Sequence, residues 1–138
     1  MSTTLLDTNV LIDVLEDRPV WGDWSVRQIE ASAMIGDLVI NPVIYAEAST
    51  PYSPQTAFDE SVNAAWLRRE ELPWDAAFLA GKVHARYREK GGQRTSTLPD
   101  FFIGAHASVK GYRLLTRDAA RIRAYFPDVV VIAPDTHP

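Results

Sequence analysis

The chain has 138 residues, of which 46% are hydrophobic and 23% charged; its formal net charge is −4 and it has no cysteine. That length suits one domain with a core of its own, and that composition is globular rather than disordered. The lack of cysteine excludes disulfides and thiolate metal sites, no apolar run approaches the roughly 20 residues of a membrane helix, and the negative balance argues against a general nucleic-acid-binding footprint. The first stretch, MSTTLLDTNVLIDVLEDRP, has no basic flank and is interrupted by acids. It reads poorly as a secretory signal, so a cytoplasmic location is expected.

In chain order, residues 3–6 read as a buried strand and residues 9–15 as a short helix. Residues 25–35 have helical apolar spacing, with Gly36 at the stop. Residues 38–40 form a second strand. Asn41 then caps a helix with Pro42 at its first position, ending near Pro51. Residues 54–70 and 74–90 read as two longer helices, forming a hairpin arm, with residues 71–73 a short strand or a turn between them. Residues 91–97 (GGQRTST) are a flexible loop. Residues 99–110 are a helix stopped by Gly111, followed by a strand at 113–115, a helix at 119–125 and a final strand at 129–132. Strands alternating with helices imply an α/β fold with a parallel sheet covered on both faces. Ligands of such sheets sit beyond the carboxyl ends of the strands, where strand order switches.

Of the 18 acidic residues, Asp13, Glu16, Asp17, Glu30, Glu60, Glu70, Glu71 and Glu89 read as solvated surface. Four others occupy more telling positions. Asp7 directly follows the first strand, in LLDTNVLI, and Asp118 follows the 113–115 strand, in LLTRDAARI. Asp100 lies in the first turn of its helix, in LPDFFIGAHA, and Glu47 lies on a short apolar helix. Taken singly, the first three suit helix caps or the helix dipole, and Glu47 suits an exposed helix position. Taken together, they can converge on one edge of a parallel sheet. Close carboxylates repel and call for cations. With only oxygen ligands at hand, the expected ion is Mg²⁺ or Mn²⁺, and its chemistry is phosphodiester hydrolysis.

These acids and their flanks resemble the PIN-domain ribonucleases, especially the VapC toxins of VapBC toxin–antitoxin pairs. The matching stretches are LLDTNVLID, NPVIYAEAS, LPDFFIGAHA and LLTRDAARIRAYFPDVVVIAP, so the resemblance spans the chain. It implies a single PIN domain over residues 1–138, with a Rossmann-like three-layer α/β/α architecture and sheet order 3-2-1-4-5. It also implies Mg²⁺- or Mn²⁺-dependent cleavage of RNA by activated water, a homodimer, and a cognate VapB-type antitoxin. Asp7 and Asp100 would be the principal metal ligands. Glu47 and Asp118 would complete the catalytic quartet directly or through water, and Thr8, Asn9 and Thr116 would support it. An alternative is a catalytically silent PIN-fold module that binds RNA or protein around a structural ion. A phosphohydrolase of the haloacid-dehalogenase type is disfavoured, because its D-x-D pattern needs an acid where this chain has Asn9.

Residues 82–94 contain Lys82, Arg86, Arg88, Lys90 and Arg94 against one acid, Glu89. Arg117, Arg121 and Arg123 form a second basic group. Contacts to RNA phosphates or to antitoxin acids are expected from Arg86, Arg88, Lys90, Arg94 and Arg117, though solvated helix faces explain such runs equally well. His84, His106 and His137 read as structural or incidental. Trp21, Trp24, Trp66 and Trp74 could stack on bases, but core or dimer packing suits Trp66 and Trp74 better.

Overall fold

A computed structural model describes residues 2–91 and 98–138. Five parallel strands, β1 (Thr4–Leu6), β2 (Leu38–Ile40), β3 (Arg68–Arg69), β4 (Arg113–Leu115) and β5 (Val131–Ile132), form one sheet in the order β3-β2-β1-β4-β5. The expected sheet order is therefore present. Leu5 pairs with Val39 on one side and Leu114 on the other. Every residue of β1 and β2 is buried. Successive strand residues face opposite sides, so both faces of the sheet are covered.

Seven helices are described: α1 (Thr8–Leu15), α2 (Gly22–Ala33), α3 (Pro42–Ala48), α4 (Gln55–Ser61), α5 (Trp74–Glu89), α6 (Leu98–Lys110) and α7 (Ala120–Tyr125). Leu5, Leu6, Leu11, Ile40, Ile44, Phe101, Ile103, Leu114 and Leu115 are fully buried at the heart of the core. Asn41 caps α3 as expected, its Oδ1 accepting from the Ile44 N–H at 3.0 Å. Gly111 ends α6 with φ +67°, the left-handed conformation that suits glycine. None of the described helices is long and apolar enough to cross a membrane.

The segment expected as one helix over residues 54–70 is not one. Its helix stops at Ser61, and the chain turns at Asn63, whose side chain accepts the Ala65 N–H at 2.8 Å while the Trp66 ring N–H donates to the Ser61 carbonyl. The third strand then falls on Arg68–Arg69 rather than on residues 71–73. Two exposed arginines on an edge strand carry no hydropathic signature; only their backbone pairing with Val39 and Ile40 defines the strand. The expected hairpin of two long helices is absent as well, because α5 packs on α6. The strand order reverses between β1 and β4, so the loops beyond those two strands diverge and leave a crevice.

Candidate active site

Asp7 is the first residue past β1. Its N–H bonds to the Leu115 carbonyl at 2.9 Å, which fixes it at the mouth of the crevice. One carboxylate oxygen caps α1, accepting from the Thr8 N–H at 2.7 Å. The other accepts from the Thr116 hydroxyl at 2.6 Å and the Asn9 amide at 3.3 Å. Thr116, buried just past β4, also accepts from the Asp118 N–H at 3.1 Å. Asn9 accepts from the Arg117 N–H at 3.2 Å. Asn9 and Thr116 therefore stitch the β1 loop to the β4 loop.

The other acids arrive from separate elements. Glu47, on α3, accepts from the Thr8 hydroxyl at 2.6 Å. Asp100, in the first turn of α6, accepts from the Arg121 guanidinium at 2.8 Å. Asp118 does not cap α7: the cap position is Ala119, with no side-chain bond. Asp7, Glu47, Asp100 and Asp118 all line one cavity of about 250 Å³, together with Thr8, Asn9, Arg121 and three isoleucines. The structure thus brings together all four acids singled out in the sequence.

Their electrostatics follow from that crowding. Burial pushes the Asp7 carboxyl up to about 6, against the bonds from Thr116 and Thr8, and the charges of Asp100 and Glu47 push it the same way. Burial also raises Asp100; Arg121 opposes the rise, while Glu47 and Asp118 add to it. The cavity is short of positive charge, and its donors are hard oxygens suited to Mg²⁺ or Mn²⁺. Among the described residues, no three acidic or histidine side chains stand as a ready-made metal cluster. Arg121 holds one Asp100 oxygen and Thr8 one Glu47 oxygen.

The basic residues sort differently from their sequence grouping. Arg117 points away from the acids: its guanidinium grips Asp13 at 2.6 and 3.1 Å and stands 5.4 Å over the Trp21 ring. Arg123 pairs with Asp135. Arg121 alone of the three lines the cavity. Arg86 and Lys90 line a groove of about 370 Å³ with Tyr125 and Pro127, whereas Arg88 is exposed outside its lining. Arg94 lies outside the described residues.

Two acids read as solvated surface are neither. Asp13 is 1% exposed and accepts from Ser25 at 2.9 Å as well as from Arg117. Glu70 accepts from the Tyr112 hydroxyl at 2.7 Å, from His106 at 2.6 Å and from Arg68 at 3.1 Å. Burial works to raise the Glu70 carboxyl, but the Tyr112 and His106 bonds outweigh it and hold it below its usual value. His106 is fully buried, and burial lowers its pKa. Asn41 spends its oxygen on the α3 cap, so its amide donates to His106 Nδ1 at 3.0 Å, and His106 Nε2–H donates to Glu70. That is the structural role expected of His106. The one hint in the sequence that Asp13 faces inward was Val10, three residues earlier and so on the same side of the helix. Trp66 packs against the core, but Trp74 is 90% exposed and is not a core residue.

Comparison with known proteins bears on this geometry. The PIN domain family matches residues 4–127. The chain belongs to the PIN domain family. Solved structures share the PIN fold with it at low identity. VapBC2 from Rickettsia felis, bound to a promoter DNA fragment, is 16% identical with a TM-score of 0.73, covering 95% of this chain and 98% of that one. FitAcB from Neisseria gonorrhoeae is 20% identical with a TM-score of 0.67, covering 94% and 96%. VapC20 from Mycobacterium tuberculosis, a Sarcin-Ricin loop cleaving toxin, is 18% identical with a TM-score of 0.65, covering 91% and 98%. No curated protein matches this PIN domain by sequence.

Proposed function

We propose that this PIN domain is a Mg²⁺- or Mn²⁺-dependent endoribonuclease, the toxin of a VapBC-type toxin–antitoxin pair acting in the cytoplasm. The observation that carries the reading is the convergence of Asp7, Glu47, Asp100 and Asp118 on one cavity at the switch point of the sheet. Asp7 and Asp100 would hold the ion, with Glu47 and Asp118 completing its shell directly or through water. When bound, such an ion supplies an activated water and offsets charge on a phosphodiester.

The chain's own residues have distinct tasks. Thr116 and the Thr8 N–H fix the orientation of the Asp7 carboxylate and favour its charged form. Asn9 and Thr116 hold the Asp118 loop against it. Arg121 is the only cation in the described lining, so it gives an anionic phosphate something to bind among four acids. The Arg86–Lys90–Tyr125 groove suits flanking nucleotides, with two cations for phosphates and a ring for a base. It begins next to the cavity, since Arg121 stands 5.6 Å over Tyr87 and Tyr87 packs 5.8 Å from Tyr125. Likeness to toxin–antitoxin complexes supports a VapB-type antitoxin as partner.

Incubating the protein with an RNA panel and Mn²⁺ tests the reading. We expect cleavage that disappears with EDTA and falls at least 100-fold in Asp7→Asn and Asp100→Asn, with circular dichroism unchanged. Full activity in both variants would overturn the site, and EDTA-resistant cleavage would overturn the metal. RNA binding without any cleavage would point instead to a catalytically silent module.

A further inference from the structure

Three of the four cavity acids are steadied by a side-chain donor. Asp7 accepts from Thr116, Glu47 from Thr8 and Asp100 from Arg121. The Asp118 carboxylate has no such donor among the described residues. Asp118 is exposed, lines the cavity, and is held through its N–H, which donates to the Thr116 hydroxyl at 3.1 Å. Its aim is therefore set by the backbone that carries it.

That backbone is anchored from the far side. Arg117 and Asp118 are neighbours that face opposite ways. Arg117 Nε and Nη2 donate to the two Asp13 oxygens at 2.6 and 3.1 Å. The Ser25 hydroxyl donates to the same carboxylate at 2.9 Å, and the Trp21 ring lies 5.4 Å from the guanidinium carbon. Helix α1, through Asp13, and helix α2, through Ser25, with Trp21 just before it, thus form a socket for one arginine. Asp13 is 1% exposed, whereas the acid of every other ion pair among the described residues is at least 17% exposed. Lost hydration offsets much of the attraction in a buried pair, and apolar residues of similar size often stabilise a core as well or better. Fold stability alone does not account for a charge pair here. A bidentate pair supplies direction instead: a planar fork on a carboxylate fixes where the arginine lies, as an apolar contact does not.

We propose that Asp13 is a positioning residue: by gripping Arg117 in this socket, it aims the adjacent Asp118 carboxylate into the cavity. Asn9, also on α1, works with it by accepting the Arg117 N–H at 3.2 Å. Neither Asp13 nor Arg117 lines the cavity itself. The part of Asp118 at an ion rests on the nuclease reading; the hold on its loop does not.

The test separates stability from aim. Asp13→Leu/Ser25→Ala/Arg117→Met fills the socket with apolar groups, and Arg117→Lys keeps the charge but loses the fork. The full chain is followed by urea denaturation, by amide hydrogen exchange in NMR and by calorimetry with Mn²⁺. The triple variant is expected to keep its stability while the Arg117 and Asp118 amides lose protection and those of α6 do not. Both variants should bind Mn²⁺ about 10–100-fold more weakly. In an Asp118→Asn background neither should weaken binding further, because the effect runs through that carboxylate. Full protection of the Arg117 and Asp118 amides in a stable triple variant would overturn the proposal. If the triple variant does not fold, the same result in Arg117→Lys overturns it. Losses that add fully to that of Asp118→Asn would overturn the action through Asp118. A wild type that binds no Mn²⁺ overturns the metal reading instead, and amide exchange then decides the hold on the loop by itself.

Discussion

Asp7 meets opposed demands. In the proposed site it would have to be ionised to hold a cation, yet burial keeps its proton on until about pH 6, against 3.8 for the unperturbed side chain. Between those values the folded state binds more protons than the unfolded one. The stability contributed by a neutral Asp7 is therefore complete below about pH 4 and is lost as pH rises through about 6. A rise of about 2 units corresponds to about 3 kcal/mol. Urea denaturation of metal-free protein should show stability falling across this window, and Asp7→Asn, which cannot ionise, should flatten that part of the profile. Superimposable profiles for the two proteins would refute the assignment. Because the ion needs the carboxylate, added Mg²⁺ should raise the melting temperature more at pH 7.5 than at pH 5. Three of the four acids were legible in the sequence because each stands beside a recognisable boundary, a strand end or a first helical turn; Glu47 stood out instead as an acid on a short apolar helix. Asp13 and Glu70 were not: their burial depends on Arg117, 104 residues away, and His106, 36 residues away, and no local pattern records such a partner.

Elements meet tightly where α6 passes the end of α7. A Cβ on Gly104 would lie 2.5 Å from the Phe126 ring and 3.2 Å from Ile122. Phe126 is only 2% exposed and has little room to yield. In Gly104→Ala, the gain in helix propensity of about 1 kcal/mol is expected to be outweighed by about 1–3 kcal/mol of overpacking, which should lower the melting temperature. A raised melting temperature would show that Phe126 moves aside. This contact also sets the spacing between the helix that carries Asp100 and the one that carries Arg121. Boundaries with strong local chemistry were readable beforehand, such as the Asn41–Pro42 start of α3 and the Gly111 stop of α6. The split of residues 54–70 was not. It turns on the Asn63 side chain accepting the Ala65 N–H, and on β3 finding Val39 and Ile40 across the sheet edge.

At the scale of the molecule, a net charge of −4 conceals a local contrast: four acids line the cavity, while Arg86 and Lys90 line the neighbouring groove. RNA affinity should therefore depend steeply on salt despite the acidic total. With the Asp100→Asn variant as non-cleaving background, Arg86→Ala or Lys90→Ala should weaken binding by fluorescence anisotropy. Each should also lower the log–log salt slope by about 0.7 per lost phosphate contact to a single strand. An unchanged slope would remove that groove from the RNA path. The bond between Asp7 and Thr116 spans 109 residues. Strand β1 is made first but lies in the middle of the sheet, between β2 and β4. On the ribosome, Asp7 therefore emerges early and waits, its second carboxylate oxygen without its threonine, until the β4 segment has been translated and has slotted in beside β1. The order of synthesis thus leaves the carboxylate cavity without its β4 side until residues 113–118 have been made.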